Sequence, residues 1–220
     1  MHGLDVERAR NASLDVGRTL GPLELNAIVF GSRVRDGLRL LPSDPDDGGT
    51  NGGVRVENVP GSTRTTGAEL LARVRWDDFS ITGSHVYVRA TEPHPTGSGR
   101  RDVPLTPRNT SGLVGMWEDH GRGLLGIEAY YTGRQPLDEN PFRSQGRRYV
   151  HLGILGEVRR GPVSVFLNAE NLLNVRQTRF DPLVREERAP DGRWTVNAWA
   201  PLEGFVVNGG VRVWIGGSDH

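Results

Sequence analysis

The sequence predicts an all-β fold: an antiparallel up-and-down transmembrane β-barrel segment of about nine long strands that forms an incomplete barrel. Two stretches indicate this most clearly, residues 162–175 and 202–215, because apolar and polar residues alternate along both. A period of two is the pattern of a strand with one apolar and one polar face. Both stretches exceed the about 5 to 6 residues usual in soluble proteins, and they suit the roughly 9 to 11 that cross a bilayer at a tilt.

Composition removes several classes of protein. The chain has 220 residues and 35% hydrophobic content, a composition typical of soluble proteins. A membrane barrel can have the same composition, because its apolar residues occupy only every second position of each strand. No run approaches about 18 apolar residues, so a helical membrane span is excluded. A net charge of zero lacks the basic footprint of a nucleic-acid-binding protein. Cysteine is absent, which excludes disulfide frameworks, thiolate metal sites and cysteine nucleophiles.

The other strands follow the same alternation and pair as hairpins across tight turns. They are expected at residues 8–20, 23–35, 63–76, 79–91, 109–118, 123–134 and 147–159. A short extra strand, Val54–Asn58, is expected inside the polar loop 36–62. Along 79–91 the apolar residues change phase between Ile81 and Val86, which predicts a β-bulge near Gly83.

The connections alternate in length. Every second one is a turn of about two to four residues, whereas 36–62, 92–108, 135–146 and 176–201 are long. Short periplasmic turns and long extracellular loops are the layout of outer-membrane barrels. The alternative is a soluble, secreted β-sandwich that binds carbohydrate or protein through its long loops, since loops at one end of a sandwich could imitate this asymmetry.

Aromatic residues are placed as two interfacial girdles of a membrane barrel would require. Trp76, Phe79 and Trp117 cluster at the short-turn ends of the strands. Toward the loop ends lie Tyr87, Tyr130, Tyr131 and Tyr149.

An odd strand count predicts that the chain is part of something larger. Single-chain bacterial barrels have even strand numbers and both ends inside, whereas nine strands put the start of the first one outside. The sequence MHGLDVERARN shows no signal peptide, so an exported protein would lack its start here. Residues 1–220 are therefore expected to be the C-terminal part of a barrel whose earlier strands are absent.

The C-terminal residues carry a family resemblance. AENLLNVRQTRFDPL and RAPDGRWTVNAWAPLEGFVVNGGVRV resemble the last external loop and terminal hairpin of TonB-dependent outer-membrane receptors, where an E-N-L-hydrophobic-N/D signature precedes the final strand. Asn171, Leu172 and Asn174 are the best-matched positions. The segment NVPGSTRTTGAELLARVRW, residues 58–76, also resembles a descending strand of that family. The resemblance covers essentially the whole chain.

The resemblance implies a receptor without enzymatic activity. Its barrel would have 22 strands, as in that family, and an N-terminal plug that is missing here. It would import a scarce ligand such as a ferric siderophore, cobalamin or a sugar across the outer membrane of a Gram-negative cell. The implied partners are outer-membrane lipid, the receptor's own plug domain and N-terminal strands, and the TonB energy-coupling complex, reached through the missing N-terminus.

Two groups of polar residues are candidate functional positions. Inward-facing residues of the strands would line a hydrated lumen, because an arginine facing lipid at mid-membrane costs roughly 2 to 4 kcal/mol. They are Glu24, Arg73, Arg75, Glu128, Glu157, Asn168, Glu170 and Arg212. A solvated sheet face would explain these charges equally well. In the external loops, the candidates for contact with an anionic or aromatic ligand are Arg134, Arg143, Arg147, Arg179 and Trp194.

Catalytic and metal-binding patterns are missing from the sequence. The six histidines are scattered, with no two at the spacing of a metal site. No G-x-S-x-G nucleophile motif is present, and the glycine pairs lack the strand-to-helix context of a phosphate loop. The sequence therefore predicts no metal, no cofactor and no enzyme.

Overall fold

The structure is a computed structural model that describes residues 3–42, 54–95, 98–119, 121–189 and 192–215. Over these residues it consists of strands and one short 3-10 turn, Gln177–Arg179. The strands are β1 Arg8–Leu20, β2 Leu23–Arg35, β3 Leu38–Pro42, β4 Val54–Asn58, β5 Ser62–Trp76, β6 Phe79–Pro93, β7 Arg100–Asp102, β8 Asn109–Asp119, β9 Gly123–Thr132, β10 Tyr149–Arg160, β11 Val163–Glu170 and β12 Val206–Val213. No helix in these ranges is long and apolar enough to cross a membrane.

The long strands form one antiparallel sheet with up-and-down topology. Its order is β1-β2-β5-β6-β8-β9-β10-β11-β12, and β7 pairs with the C-terminal end of β6. The hairpin β3–β4 forms a separate two-stranded sheet in the connection that leads from β2 to β5. Within the described residues β1 and β12 each keep one unpaired edge, so the sheet does not close into a barrel. The predicted all-β, incomplete barrel segment is confirmed.

Tight turns join the strands at one end of the sheet. Three of these turns have two residues, because Leu20 pairs with Leu23, Trp76 with Phe79 and Arg160 with Val163. Gly21, Asp77 and Gly161 take φ values of 59°, 45° and 57° there, as the turns that match a twisted hairpin require. The four long connections all lie at the opposite end, which we call the loop end.

An unbroken register sorts the side chains onto two faces. One face carries mainly apolar residues. A typical row of direct neighbours across five strands is formed by Leu25, Ala72, Gly83, Leu113 and Ala129. We call this face the apolar face and the opposite one the polar face. Large side chains of the apolar face are exposed, and they include Leu14, Val29, Leu70, Ile127, Val165 and Val211.

Few side chains are buried. The buried hydrophobic residues of the described ranges are Ala169, Ala189, Trp199 and Ala200, and all four lie at or near the loop end. A β-sandwich buries the facing sides of two packed sheets in a shared core. Since the long strands form a single sheet with an exposed apolar face, the β-sandwich alternative is wrong for this fold.

The predicted bulge near Gly83 is also wrong. Pairing of β6 with β5 runs without interruption from Phe79 to Thr91, and its pairing with β8 runs from Phe79 to Tyr87. Val86 and Val88 therefore point to the polar face, where both are half-buried. The polar face accepts isolated valines, so the change of phase in the sequence needs no extra residue in the strand.

The aromatic residues agree only in part with two girdles. At the turn end, the rings of Trp76 and Phe79 stack with centroids 5.7 Å apart, and Phe79 pairs across from Trp117. At the loop end, Tyr87 and Tyr131 lie on the apolar face. The prediction is wrong for two others, which lie on the polar face: Tyr130, whose hydroxyl donates to Glu128 Oε2 at 3.2 Å, and Tyr149.

Strand bounds differ from the sequence prediction mainly at the loop end. The stretch 162–175 is a strand only over Val163–Glu170, because Asn171 and Asn174 take positive φ values of 51°. The stretch 202–215 is a strand over Val206–Val213, and 147–159 begins at Tyr149. Val54–Asn58 is confirmed, whereas Leu38–Pro42 and Arg100–Asp102 are additional strands. Residues 43–53 of the loop 36–62 lie outside the described residues.

Gly123→Ala is expected to destabilise the sheet. Gly123 opens β9 with a φ of 145°, and a Cβ there would come within 2.0 Å of the Glu157 carbonyl oxygen on β10. Strained backbone of this kind costs about 1 to 3 kcal/mol before the clash is counted. Urea unfolding followed by tryptophan fluorescence measures the loss. Gly156→Ala is the control, since its Cβ would meet Leu125 Cδ1 at an ordinary 3.9 Å. Equal unfolding midpoints for the two variants would contradict the strain at Gly123.

Candidate functional site

Two of the long connections at the loop end, those after β9 and β11, pack into one structure, the loop cluster, which we define as residues 134–148, 171–189 and 192–205. Asn171 begins it and is 2% exposed. Its side-chain Nδ2 donates to the carbonyls of Val175 at 2.8 Å and Glu203 at 3.0 Å, while its Oδ1 accepts from Val175 N at 2.9 Å. One amide therefore shapes the exit from β11 and ties it to the segment that returns to β12.

The other two positions of the signature expected from the sequence support the same exit. Leu172 N donates to the Leu152 carbonyl at 2.9 Å, which anchors the chain to β10. Asn174 Oδ1 accepts from Phe205 N at 3.3 Å. Asn171, Leu172 and Asn174 thus have a structural role: they fix where the last loop leaves the sheet and where it returns.

Gln177 is the buried centre of the last loop. It is fully buried, and its Oε1 accepts from the backbone N–H groups of Trp199 at 2.7 Å and Ala200 at 3.3 Å. Its Nε2 donates to the Asn197 carbonyl at 3.1 Å. Buried amides are stable only when such bonds are made, so Gln177 holds the two halves of the loop together.

Gln135 joins the neighbouring loop to the same point. Its Nε2 donates to the Trp199 carbonyl at 2.5 Å, and its own carbonyl accepts from Gly146 N at 2.9 Å. A Cβ on Gly146 would lie 3.1 Å from Trp199 Cε3, so a glycine lets this loop approach the indole closely. Trp199 itself is 2% exposed.

Cationic and aromatic side chains alternate across this contact. The Arg143 guanidinium lies 5.4 Å from the Trp199 ring centroid and forms an ion pair with the buried Asp181. Arg147 lies 4.9 Å from the Phe180 ring centroid, and the Phe180 and Trp199 centroids are 5.9 Å apart. Cation–π contacts of this kind fix the orientation of both arginines.

A cavity of about 430 Å³ opens beside these residues. It is lined by Arg134, Arg143, Gln145, Gly146, Arg147 and Arg148. Three of the five loop residues expected from the sequence, Arg134, Arg143 and Arg147, are thus brought together around one space. We call it the arginine cavity. Its lining carries four guanidinium groups and no carboxylate.

Two buried donors beside the arginine cavity lack a partner among the described residues. They are Arg143 Nε and Trp199 Nε1. Buried N–H groups in native proteins are nearly always hydrogen-bonded. The Asp181 carboxylate that pairs with Arg143 also keeps one buried oxygen, Oδ2, without a hydrogen bond to any described residue, so the region holds unused donors and an unused acceptor.

The other two expected loop residues lie elsewhere. Arg179 is exposed at the end of the 3-10 turn, and it does not line the arginine cavity. Trp194 is 48% exposed and carries Arg188 at 5.1 Å from its ring centroid. Sequence reasoning missed Arg148, Gln145 and Gly146. The doublet Arg147-Arg148 was a signal for Arg148, whereas Gln145 and Gly146 are placed by the fold of their loop.

Arg101 links the loop after β9 to the connection between β6 and β8. Its guanidinium donates to Asp138 Oδ1 at 2.7 Å, Asp138 Oδ2 at 3.0 Å and Glu92 Oε1 at 2.7 Å. Burial lowers the pKa of Arg101, but the hydrogen bonds and charges of Asp138 and Glu92 outweigh burial and raise the pKa overall. This bidentate pair braces the loop that supplies all six lining residues of the arginine cavity.

The eight strand residues expected to face a lumen all lie on the polar face, in small local groups. Arg75 Nη2 lies 2.5 Å from Glu24 Oε1, and Arg73 Nε donates to Thr82 Oγ1 at 3.2 Å. Asn168 Nδ2 donates to Glu170 Oε1 at 2.6 Å. The remaining three are Glu128 beside Tyr130, Glu157 paired with Arg159 at 2.8 Å, and Arg212 stacked 5.7 Å from the Trp214 ring centroid. They do not converge on one site.

Metal-binding clusters do not occur in the described part of the chain. No group of three or more histidine, aspartate or glutamate residues there is placed to hold a metal ion. The loop cluster is therefore organised by amide hydrogen bonds and arginine contacts.

Asn171→Asp is expected to destabilise the last loop. Aspartate tolerates the positive φ nearly as well as asparagine but cannot donate to the Val175 and Glu203 carbonyls. Leaving buried acceptors unpaired costs about 1 to 3 kcal/mol. Limited proteolysis should cut residues 176–205 faster in this variant. Asn208→Asp on the exposed polar face is the matched control, and a similar cleavage rate in both variants would argue against the role of Asn171.

Comparison with known proteins identifies the family to which the chain belongs. A family model described as "TonB dependent receptor-like, beta-barrel" matches residues 3–172. None of the curated proteins matches the chain. Solved structures with the same fold include a mutant ferric enterobactin receptor, PfeA, from Pseudomonas aeruginosa, at 18% identity and a TM-score of 0.70, covering 96% of this chain and 31% of the receptor.

Two further structures widen the range of ligands. The ferric-catecholate import receptor Fiu from K12 E. coli has 14% identity and a TM-score of 0.63, covering 94% of this chain and 28% of Fiu. The copper transporter OprC has 15% identity and a TM-score of 0.64, covering 96% of this chain and 32% of OprC. This chain spans less than a third of the length of each of these proteins. Because the family model covers most of the sequence, the chain belongs to the TonB-dependent receptor β-barrel family.

Proposed function

We propose that the chain is the C-terminal barrel part of an outer-membrane receptor for TonB-dependent uptake of a scarce anionic ligand, of the ferric siderophore class. The arginine cavity carries this proposal. Four guanidinium groups line it, and with Arg143 paired to Asp181 behind the lining, the charges of Arg134, Arg147 and Arg148 favour an anion. Neutral sugars carry no charge, and cobalamin carries a single phosphodiester whose charge is offset by its cobalt corrin, so a multiply charged anion explains this concentration of arginine better.

Recognition would use both charge and ring contacts. Guanidinium groups form strong, directional hydrogen bonds to anionic oxygens, and Arg147 and Arg148 are exposed in the cavity lining. Arg143 and Arg147 are pre-oriented by Trp199 and Phe180, so little entropy is lost on binding. The named ligands of Fiu and PfeA, a ferric catecholate and ferric enterobactin, belong to the same chemical class.

The two faces of the sheet suit a barrel wall in the outer membrane. The exposed apolar face would contact lipid, and the polar face, with Glu24, Arg73, Arg75 and the other paired charges, would line the hydrated interior. The unpaired edges of β1 and β12 would be completed by the strands that precede this chain in the full receptor. The plug domain and the contact with the TonB complex would come from that same missing part.

Substitution of the exposed arginines of the cavity tests the ligand class. In the full receptor, Arg147→Gln together with Arg148→Gln should weaken binding of ferric enterobactin, the probe, by about ten-fold or more. Hydrogen bonds to charged groups contribute about 1.5 to 3 kcal/mol, and about 1.4 kcal/mol is a factor of ten. Binding is followed by quenching of tryptophan fluorescence, and uptake by radioactive iron.

Arg122→Gln is the matched control for this experiment. Arg122 is an exposed arginine in a tight turn at the opposite end of the sheet, so its loss should leave binding unchanged. Unchanged affinity in the cavity variant, or no binding of the probe by the wild-type receptor, would refute the siderophore assignment.

Placement in the membrane is tested by two adjacent leucines. Leu70 lies on the apolar face and Leu71 on the polar face, and both are exposed, at 57% and 42%. Leu70→Arg should lower the free energy of unfolding in lipid by about 2 to 4 kcal/mol, and Leu71→Arg by much less. Urea titration of receptor folded into phosphatidylcholine vesicles measures both. Equal losses would mean that the apolar face does not contact lipid.

A further inference from the structure

Arginines mark the end of the apolar face on the loop side. Arg10, Arg33 and Arg64 are direct partners across β1, β2 and β5. With strands about 4.8 Å apart, this row spans only about 10 Å. Exposed arginines of the same face flank it, and together they form what we call the arginine patch: Arg10, Arg33, Arg35, Arg64, Arg89 and Arg100.

The arginine patch is separate from the arginine cavity and from the polar face. Its row lies four residues along the strands from the row of Leu14, Val29 and Ala68, which belongs to the apolar face. At about 3.3 Å per residue, the separation is about 13 Å. The patch is thus on the surface that would face the membrane, at the level where hydrocarbon gives way to headgroups.

Charges in the arginine patch repel one another. The positive charges of Arg35, Arg64, Arg10 and Arg100 all act on Arg33. Ser62 holds two of these side chains close together, because its Oγ accepts from Arg33 Nε at 3.1 Å and its carbonyl accepts from Arg100 Nη1 at 2.9 Å. None of the salt bridges within the described residues includes an arginine of the patch. Like charges placed directly opposite in a sheet are destabilising, so an external anion would stabilise this arrangement.

An apolar groove lies on the same strands, toward the turn end. It has a volume of about 610 Å³, and most of its lining is apolar-face residues of β1, β2, β5 and β6, with the polar side chains of Arg18 and His85 among them. Small residues there, Ala27, Ala72 and Gly83, leave space between Leu25 and Leu70. A groove of this kind fits an acyl chain.

We propose that the arginine patch binds the phosphate groups of an anionic lipid of the outer leaflet, whose acyl chains lie along the apolar face. The planar guanidinium fork matches two phosphate oxygens at once. Long arginine side chains at the edge of a membrane-spanning segment reach the headgroup level. A lipid is favoured over a soluble anion because the charged patch and the groove share one face. The inference rests on the proposed membrane placement of that face.

The test compares two triple variants of the intact receptor in detergent. The probe is fluorescent, bis-phosphorylated lipid A, and its binding is measured by anisotropy. Arg10→Gln, Arg33→Gln and Arg64→Gln together should weaken binding by about ten-fold or more. The control removes the same number of charges from the polar face, through Arg73→Gln, Arg75→Gln and Arg212→Gln, and should change binding less than about two-fold.

A second measurement uses wild-type receptor alone, so that it does not depend on the folding of a variant. Dephosphorylated lipid A should bind about ten-fold or more weakly than the phosphorylated form. Equal binding of the two lipids, or equal losses in the two triple variants, would overturn the inference. Displacement of the lipid by inorganic phosphate at similar concentration would also overturn it, because the site would then be one for free anions.

Failure of the membrane placement is recognised separately. A receptor that does not insert into phosphatidylcholine vesicles, or in which Leu70→Arg and Leu71→Arg behave alike, contradicts the proposed function. A receptor that inserts normally but binds lipid A without regard to its phosphates or to the arginine patch contradicts only the lipid site.

Discussion

Backbone hydrogen bonding between neighbouring strands is the interaction on which this structure depends. Only four hydrophobic residues of the described chain are buried, and four are too few to form a core for a sheet of this size. What fixes each side chain is the register, which runs unbroken from β1 to β12. A slip of one residue would exchange the two faces of a strand. The lipid-contacting face that we propose exists only because no strand slips.

In the loop cluster, where the hydrogen bonds between strands end, hydrogen bonds from amide side chains hold the segments together. Asn171, Gln177 and Gln135 are buried. The Asn171 amide bonds to backbone groups of Val175 and Glu203, and the amides of Gln177 and Gln135 bond to backbone groups in residues 197–200. A buried, fully bonded amide fixes geometry more sharply than an apolar contact, because hydrogen bonds are directional. The arginine cavity is lined by residues held in this frame, so its shape is set before any ligand arrives.

The two groups of arginines differ in what surrounds them. In the loop cluster, Arg143 and Arg147 lie against Trp199 and Phe180, and Arg143 is also paired with Asp181. In the arginine patch, the guanidinium groups share hydroxyl and carbonyl acceptors such as those of Ser62 and have no ion-paired carboxylate among the described residues. The first arrangement is pre-organised for a specific ligand. The second concentrates charge at an open surface and suits mobile anionic headgroups.

Alternation of apolar and polar residues determined the strands and their two faces, because the period of two is a local property of the backbone. Strand pairing decided that the long strands form one sheet and not a sandwich. Asn171, Leu172 and Asn174 were visible in the sequence as a signature, although not the bonds they make. Tertiary structure decided what depends on partners distant in the chain. The regular register at Gly83 and the polar-face position of Tyr130 follow from pairing with neighbouring strands. The arginine cavity requires Gln135 to reach Trp199, 64 residues further on, a contact that no local pattern encodes.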